Sequence, residues 1–223
     1  MSIITIKACL FDLDGVIVDT AKYHYLAWKR LANQLGFDFS EHQNEELKGV
    51  SRMKSLELIL EWGGVSLPDS EKERWATLKN EWYLELVSEM TPAEVLPGVL
   101  DFLAQLKSQN IKIALGSVSK NAKLILQKIE LLNWFDAIID GTNLTHGKPD
   151  PQVFLLGAEA LNVLPLECVV FEDAVAGIES ATRAGMKSVG IGSAQVLTQA
   201  SIVLPGFETL QWTALAAMLN KIE

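Results

Sequence analysis

Short apolar runs of β type recur along this chain at Lys7–Asp12, Ile111–Gly116, Ala137–Asp140, Cys168–Glu172 and Ser188–Ile191, with a weaker one at Ile202–Leu204. Most are separated by stretches whose apolar residues fall at helical spacing. Leu100, Leu103, Ala104 and Leu106 make one such face, Ala122, Ile125, Leu126 and Ile129 a second, and Phe154, Leu155, Ala158 and Leu161 a third. Strands alternating with helices of this length specify an α/β fold: a parallel sheet covered by helices on both faces. The 223 residues, 49% of them hydrophobic, fit one large domain or one domain carrying an insertion, with ample material for a packed core.

The interval from about Asp19 to Val95 breaks the alternation. It reads as helices only, over Ala21–Leu35, Ser51–Trp62 and Ser70–Met90, with turns at Gly36, Gly63-Gly64 and Pro68. A helical block inserted after the first strand predicts a separate cap. The expected organisation is a core of residues 1–18 and 95–223 and a helical cap of 19–94, hinged at VIVDT and TPAEVLPG. Trp28, Trp62, Trp75 and Trp82 are read as packing within the cap.

Charge and composition remove several classes. A net charge of −9 disfavours nucleic acid or an anionic membrane as the main partner, so an anionic substrate must be drawn in by local cations. The start, MSIITIKACL, has neither the basic region nor the apolar run of a signal peptide, and no run of 18 apolar residues occurs. A cytoplasmic protein is expected, with Cys9 and Cys168 as buried reduced thiols. His24, His42 and His146 are too scattered for a zinc site.

Ligands of open parallel sheets bind at the carboxyl ends of the strands, so the residues following each run carry the chemistry. After the first run come Asp12 and Asp14, two apart on an extended segment and so aimed the same way. Alone, this could be a solvated Asp-Gly turn or another metal enzyme's acid pair. After the second comes Gly116-Ser117-Val118-Ser119-Lys120-Asn121, a small turn with hydroxyls ahead of a helix, which suits an anion but also an ordinary N-cap. After the third comes Lys148-Pro149, and after the fourth Glu172-Asp173, where the bland alternatives are a surface lysine and a helix cap. Taken together, these strand ends bring a carboxylate pair, a hydroxyl, a lysine and a second carboxylate pair to one cleft. Four carboxylates in one place require a cation, and all-oxygen ligands indicate Mg²⁺. A hydroxyl, backbone N–H groups and a lysine beside it suit a phosphoryl group.

The order Asp-x-Asp-Gly, Ser, Lys-Pro, Glu-Asp resembles that of the haloacid dehalogenase superfamily of phosphotransferases, over essentially the whole chain. The segments FDLDGVIVDTAKYH, NEELKGVSR, IKIALGSVSKN and GKPDPQVF resemble the sugar-phosphate mutases among them. The resemblance implies a Rossmann-like parallel sheet core of the HAD type with an inserted α-helical cap domain. It implies Asp12 as nucleophile, Asp14 as general acid and base, and Ser117 and Lys148 as ligands of the transferring phosphoryl oxygens. It also implies Mg²⁺ held by Asp12, the main chain of Asp14 and Asp173, with Glu172 in support. Asp19 and Thr20 are read as hinge and helix-start residues, and Asp19 is not assigned to the metal. Gly116 stands where an alanine is expected, and Gly141–Gly147 departs from the family's pattern, which weakens the expectation for the support of Lys148.

The cap distinguishes mutase from hydrolase, because a mutase must shield its phosphoenzyme from water and hold a second phosphate. Arg52 can grip a non-transferring phosphate bidentately, and the resemblance implies that role for it, with Ser119, Lys120 and Asn121 helping from the core. Lys48, Gly49, Val50, Ser51 and Ser55 are expected along the sugar site, with Thr20, and Lys79 is expected to help close the cap. His24 is placed near Asp14 or Lys79, linking substrate arrival to closure. The bland alternatives are a charged helical surface and a half-buried histidine. The implied reaction interconverts β-D-glucose 1-phosphate and glucose 6-phosphate through bound β-D-glucose 1,6-bisphosphate, in a monomer whose partners are small sugar phosphates. A phosphatase for a small sugar phosphate and a catalytically idle binding module remain the alternatives.

Overall fold

The structure, a computed structural model, describes residues 5–222, so the outermost positions of the expected core range lie outside it. Six strands form one sheet: β1 (Ala8–Phe11), β2 (Lys112–Gly116), β3 (Ala137–Ile139), β4 (Cys168–Glu172), β5 (Lys187–Ile191) and β6 (Ile202–Leu204). Their order is β3-β2-β1-β4-β5-β6, and every pairing is parallel. The chain builds outward from β1 to β2 and β3, then crosses back to β4 on the other side. The carboxyl ends of β1 and β4 therefore flank the point where strand order reverses, which is where such sheets open a crevice.

The alternation of side chains along β1 feeds two hydrophobic layers. Cys9 and Phe11 enter the larger one, where the Phe11 and Phe171 rings stack with centroids 4.6 Å apart. Ala8 and Leu10 enter the smaller one with Ala114 and Phe154. Both cysteines are free and buried. Helices α5 (Val99–Ser108), α6 (Ala122–Lys128), α7 (Gln152–Leu161), α8 (Val175–Arg183) and α9 (Trp212–Leu219) accompany the sheet.

Two of the predicted helical faces are corrected. In α5 the buried stripe is Val99, Phe102, Leu103 and Leu106, while Leu100 and Ala104 face solvent. The helix begins directly after Gly98, whose φ of 80° only glycine adopts readily, and a Cβ there would run into the backbone of Phe207. That start fixes the i, i+3, i+4, i+7 stripe one position earlier than the leucines alone suggest. In α7, Val153 and Gly157 are buried in place of Leu155, which is exposed.

Between β1 and α5 lies the helical cap, composed of α1 (Ala21–Gln34), α2 (Glu41–Glu45), α3 (Arg52–Trp62) and α4 (Asp69–Ser88). The short α2 was not expected; it starts with a reciprocal capping box between Ser40 and Gln43. Trp28, Leu31, Leu56, Ile59, Tyr83 and Val87 fill the cap interior. Trp28 and Trp82 are buried, and Trp62 and Trp75 pack against the core cluster partly exposed. The two chain crossings lie side by side: Val18 bridges Val95, and Leu96 N–H donates to the Ile17 carbonyl at 3.0 Å. Tyr23 at the start of α1 donates to Glu94 at 2.6 Å, and Lys22 pairs with Glu94 at 2.8 Å. Among the described residues, no helix is long and apolar enough to cross a membrane.

Candidate active site

A cavity of about 580 Å³ lies between the sheet's carboxyl edge and the cap. Asp12, Asp14 and Asp173 line it from the core, as do Ser119, Lys120 and Asn121. Thr20, His24, Lys48, Gly49, Val50, Ser51, Arg52, Ser55 and Lys79 line it from the cap side. The remaining expected residues, Ser117, Lys148 and Glu172, are buried and lie outside that lining.

Asp12 follows directly on β1, and Lys148 reaches it from the loop after β3. Lys148 Nζ lies 2.5 Å from Asp12 Oδ1 and 2.8 Å from Glu172 Oε2, with its side chain wholly enclosed. Burial works to lower the pKa of this ammonium, but the two carboxylates hold it above its ordinary range. Glu172 closes the arrangement by accepting from Ala174 N–H at 3.2 Å. Asp12 Oδ2 accepts the Asp14 N–H at 3.0 Å. Ser117 Oγ accepts the Ser119 N–H at 3.1 Å, which folds the loop after β2 into a tight turn.

Asp12, Glu172 and Asp173 each offer a carboxylate oxygen, all within 4.8 Å of one another. Asp173 is not a helix cap: Ala174 occupies the N-cap of α8 without a side-chain bond. This donor set fits a hard divalent cation. One lysine cannot neutralise it. Burial, then Asp12, pushes the Glu172 carboxyl well above its usual range and Asp173 up to about 6. Lys48 crosses from the cap to pair with Asp173 at 3.3 Å and with Glu45 at 2.9 Å.

The Asp14 side chain stands apart from this group. Its Oδ1 accepts from Thr20 Oγ1. Burial, then the neighbouring Asp12, pushes its carboxyl up to about 7, despite the opposing Thr20 bond. Thr20 therefore does something different from the capping expected of it: its hydroxyl is turned to Asp14, and Asp19 Oδ1 instead accepts the Ala21 N–H at 3.1 Å.

On the cap side, Lys79 is buried with its Nζ 2.9 Å from His24 Nδ1. It sits over the rings of Trp28 (4.3 Å) and Tyr83 (4.9 Å), and the His24 ring stacks on Tyr83 at 4.2 Å. His24 is thus the partner of Lys79, one of the two positions its spacing suggested. Burial, then Arg52, lowers the pKa of Lys79 well below its usual value, and burial, then Lys79, does the same for His24. The Tyr83 hydroxyl is buried and has no hydrogen-bond partner among the described residues.

Two participants, Tyr83 and Asn80, both on α4, are not singled out by the sequence pattern. Asn80 Oδ1 accepts from Arg52 Nη2 at 2.7 Å and from Asn121 Nδ2 at 2.9 Å, joining α3, α4 and the core loop. An asparagine in mid-helix, a poor helix former, is the one signal the sequence offers for Asn80.

This sheet topology, with an acid cluster and enclosed lysine under a helical lid, defines a haloacid dehalogenase-type phosphotransferase. The chain belongs to the haloacid dehalogenase-like hydrolase family, whose model matches residues 6–185. Within it, the chain is 48% identical over 200 residues to the β-phosphoglucomutase of Bacillus subtilis strain 168, covering 89% of this chain and 88% of that protein. It superimposes on the crystal structure of a β-phosphoglucomutase from Clostridium difficile with a TM-score of 0.94 and 43% identity, over 97% of this chain and 98% of the other. A phosphorylated carbohydrates phosphatase of Thermotoga maritima is 33% identical over 188 residues, covering 82% of this chain and 83% of that protein.

Proposed function

We propose that this protein is a Mg²⁺-dependent sugar-phosphate mutase that interconverts β-D-glucose 1-phosphate and D-glucose 6-phosphate. The observation that carries the reading is the double character of one cavity. It holds the reactive carboxylates Asp12 and Asp14, and it also holds Arg52, a half-buried cation with no carboxylate partner among the described residues, beside Asn121. A hydrolase needs only the first of these; a mutase needs a second place for phosphate. Similarity to β-phosphoglucomutases over most of the chain supports the same choice.

In this reading an Asp12 oxygen attacks phosphorus, and the P–O bond to the leaving group breaks, giving an aspartyl phosphate. The 6-hydroxyl of β-glucose 1-phosphate then takes the phosphoryl group while Asp14 removes its proton. The resulting β-glucose 1,6-bisphosphate turns end for end and returns its 1-phosphoryl group to Asp12, and Asp14 protonates the sugar oxygen left behind. A carboxyl poised near neutrality suits this alternation of acid and base. Lys148, fixed against Asp12, and the donors of the Ser117 loop face the charge on the phosphoryl oxygens. Asp12, Asp173 and the Asp14 main chain, with Glu172 in support, would hold Mg²⁺, which when bound supplies the positive charge that lets a carboxylate approach a phosphate.

The lid is residues 19–94 and the core 1–18 with 95–223, a division supported by the adjacent crossings at Val18 and Val95. Arg52 with Ser119, Lys120 and Asn121 grips the non-reacting phosphate, and Lys48 to Ser55 line the sugar. The protein acts as a monomer on small sugar phosphates, and the negative net charge and small-molecule chemistry suit the cytoplasm.

The test is incubation with β-glucose 1-phosphate, a trace of the bisphosphate and Mg²⁺, followed by phosphorus NMR. Glucose 6-phosphate should accumulate. Inorganic phosphate released at the rate of substrate loss, without glucose 6-phosphate, would establish a phosphatase instead. Asp12→Asn should abolish turnover.

A further inference from the structure

We propose that Asn80 is a positioning residue that holds Arg52 and Asn121 on the non-reacting phosphate of the substrate while leaving the positive charge of Arg52 unspent. The inference rests on the phosphate-gripping role given to Arg52 above and adds a residue and a selection rule to it.

Three elements meet at one atom. Arg52 opens α3, Asn80 lies within α4, and Asn121 precedes α6 in the core. Asn80 Oδ1 accepts from both of the others, at 2.7 Å from the Arg52 guanidinium and 2.9 Å from the Asn121 amide. Arginine only donates, so the carbonyl face of Asn80 is fixed toward it. The contact joins lid to core, so it exists only with the lid against the sheet.

Partner chemistry matters here. Burial lowers the pKa of Arg52, which marks a cation short of solvent, and its side-chain partner is the Asn80 carbonyl, with no carboxylate pairing with it among the described residues. A carboxylate at position 80 would orient the guanidinium equally well, but it would cancel the charge and repel a dianion. An amide carbonyl supplies the direction without the charge. Asn80 lines the cavity, and its amide NH₂ makes no hydrogen bond among the described residues, which leaves it free to donate to a phosphate oxygen. The arrangement selects substrates that carry a dianion away from the reacting phosphoryl group, such as hexose phosphates, over small donors that have none.

The selection rule separates this role from a packing role, because aspartate is the closest shape match to asparagine. Steady-state kinetics of wild type, Asn80→Ala and Asn80→Asp would be measured with β-glucose 1-phosphate plus the bisphosphate, and phosphoenzyme formation would be measured with acetyl phosphate. Glucose 6-phosphate binding would be followed by calorimetry in parallel. Asn80→Ala should raise KM for the sugar phosphate about tenfold, and Asn80→Asp by about 100-fold, with kcat changing far less. The losses on acetyl phosphate should be smaller than those on the sugar phosphate for both variants. An Asn80→Asp enzyme that outperforms Asn80→Ala, or equal losses on the two donors, overturns the proposal. If wild type hydrolyses the sugar phosphate without mutase turnover, the functional reading fails, while the order of calorimetric affinities still decides the role of Asn80. A wild-type protein that binds no sugar phosphate overturns both.

Discussion

Lys79 Nζ and His24 Nδ1 stand 2.9 Å apart inside the lid, two nitrogen bases with no carboxylate between them. Both are buried, and both are held below their ordinary pKa, first by burial and then by neighbouring cations. The pair is therefore short of protons for its chemistry. A dianionic phosphate arriving beside Arg52 and Lys79 offsets these causes and raises both affinities for protons. Binding of glucose 6-phosphate at about pH 8 should accordingly take up protons. Calorimetry in buffers of different ionisation enthalpy measures this directly. Lys79→Met should remove most of the uptake and weaken binding about tenfold or more. Proton release, or none, would refute a depressed lysine at this position.

The acid cluster makes the opposite demand on pH. Asp14 and Asp173 have folded pKa values raised to about 7 and about 6, above the ordinary aspartate value of 3.8. A raised carboxyl binds more protons folded than unfolded, so the stability it confers is complete at low pH and is lost as pH rises through the folded value. The metal-free protein should lose several kcal/mol between about pH 4 and pH 7.5 from these two groups, less than their separate shifts would sum to because their titrations are coupled. A divalent cation replaces the lost protons as counter-charge. Added Mg²⁺ should therefore raise Tm clearly at about pH 7.5 and little at about pH 5. Thermal unfolding in chelator and in Mg²⁺ across this range checks both halves of the expectation.

The sheet was legible because parallel strands buried on both faces read as unbroken apolar runs, and β4 and β6 match the sequence runs to the residue. The strand-end acids were legible for a related reason: a charge that ends an apolar run has few structural explanations. The helical faces of α5 and α7 were less so. A leucine-rich helix leaves several stripes open, and only the left-handed Gly98 and the packing of Phe102 select one. The strand-end rule brought Lys148 and Asp12 to one cleft although 136 positions separate them, and His24 was placed near Asp14 or Lys79; only the fold selects Lys79, 55 positions away, and shows both bonds atom to atom. Thr20 looked like a cap because its sequence neighbours permit one, and only the fold shows that Asp14 claims the hydroxyl. Asn80 had no local signature beyond its poor helix propensity.

Gly15 offers a test of the metal site that leaves every charged group in place. It has φ of 77°, and a Cβ built on it would collide with the Asp173 carboxylate. Gly15→Ala must therefore displace Asp173, strain the turn, or both. The Mg²⁺ concentration for half-maximal activity should rise about 10–100-fold. Saturating Mg²⁺ should recover much of kcat, because Asp12, Asp14 and Lys148 are untouched. Titration of activity with Mg²⁺ reads the effect, and an unchanged Mg²⁺ requirement would show that Asp173 is not a ligand.

Lys148 carries structural and chemical duties at once. Its ammonium is fully enclosed against Asp12 and Glu172, so Lys148→Ala leaves two buried carboxylates without their cation. Breaking a buried pair by removing one partner costs about 3–5 kcal/mol. Part of that cost is avoidable, because Glu172 is already held well above the usual carboxylate range and can take a proton. The variant should therefore unfold at lower denaturant in chelator, by about 3 kcal/mol at pH 8 and by distinctly less at pH 5. Mg²⁺ should restore stability in part, since it supplies the missing positive charge, but should not restore turnover, since it does not replace the donor aimed at the phosphoryl oxygens. Chemical denaturation at the two pH values, with and without Mg²⁺, separates the counter-ion duty of Lys148 from its catalytic one. A variant as active as wild type in Mg²⁺ would mean that the lysine serves the fold alone.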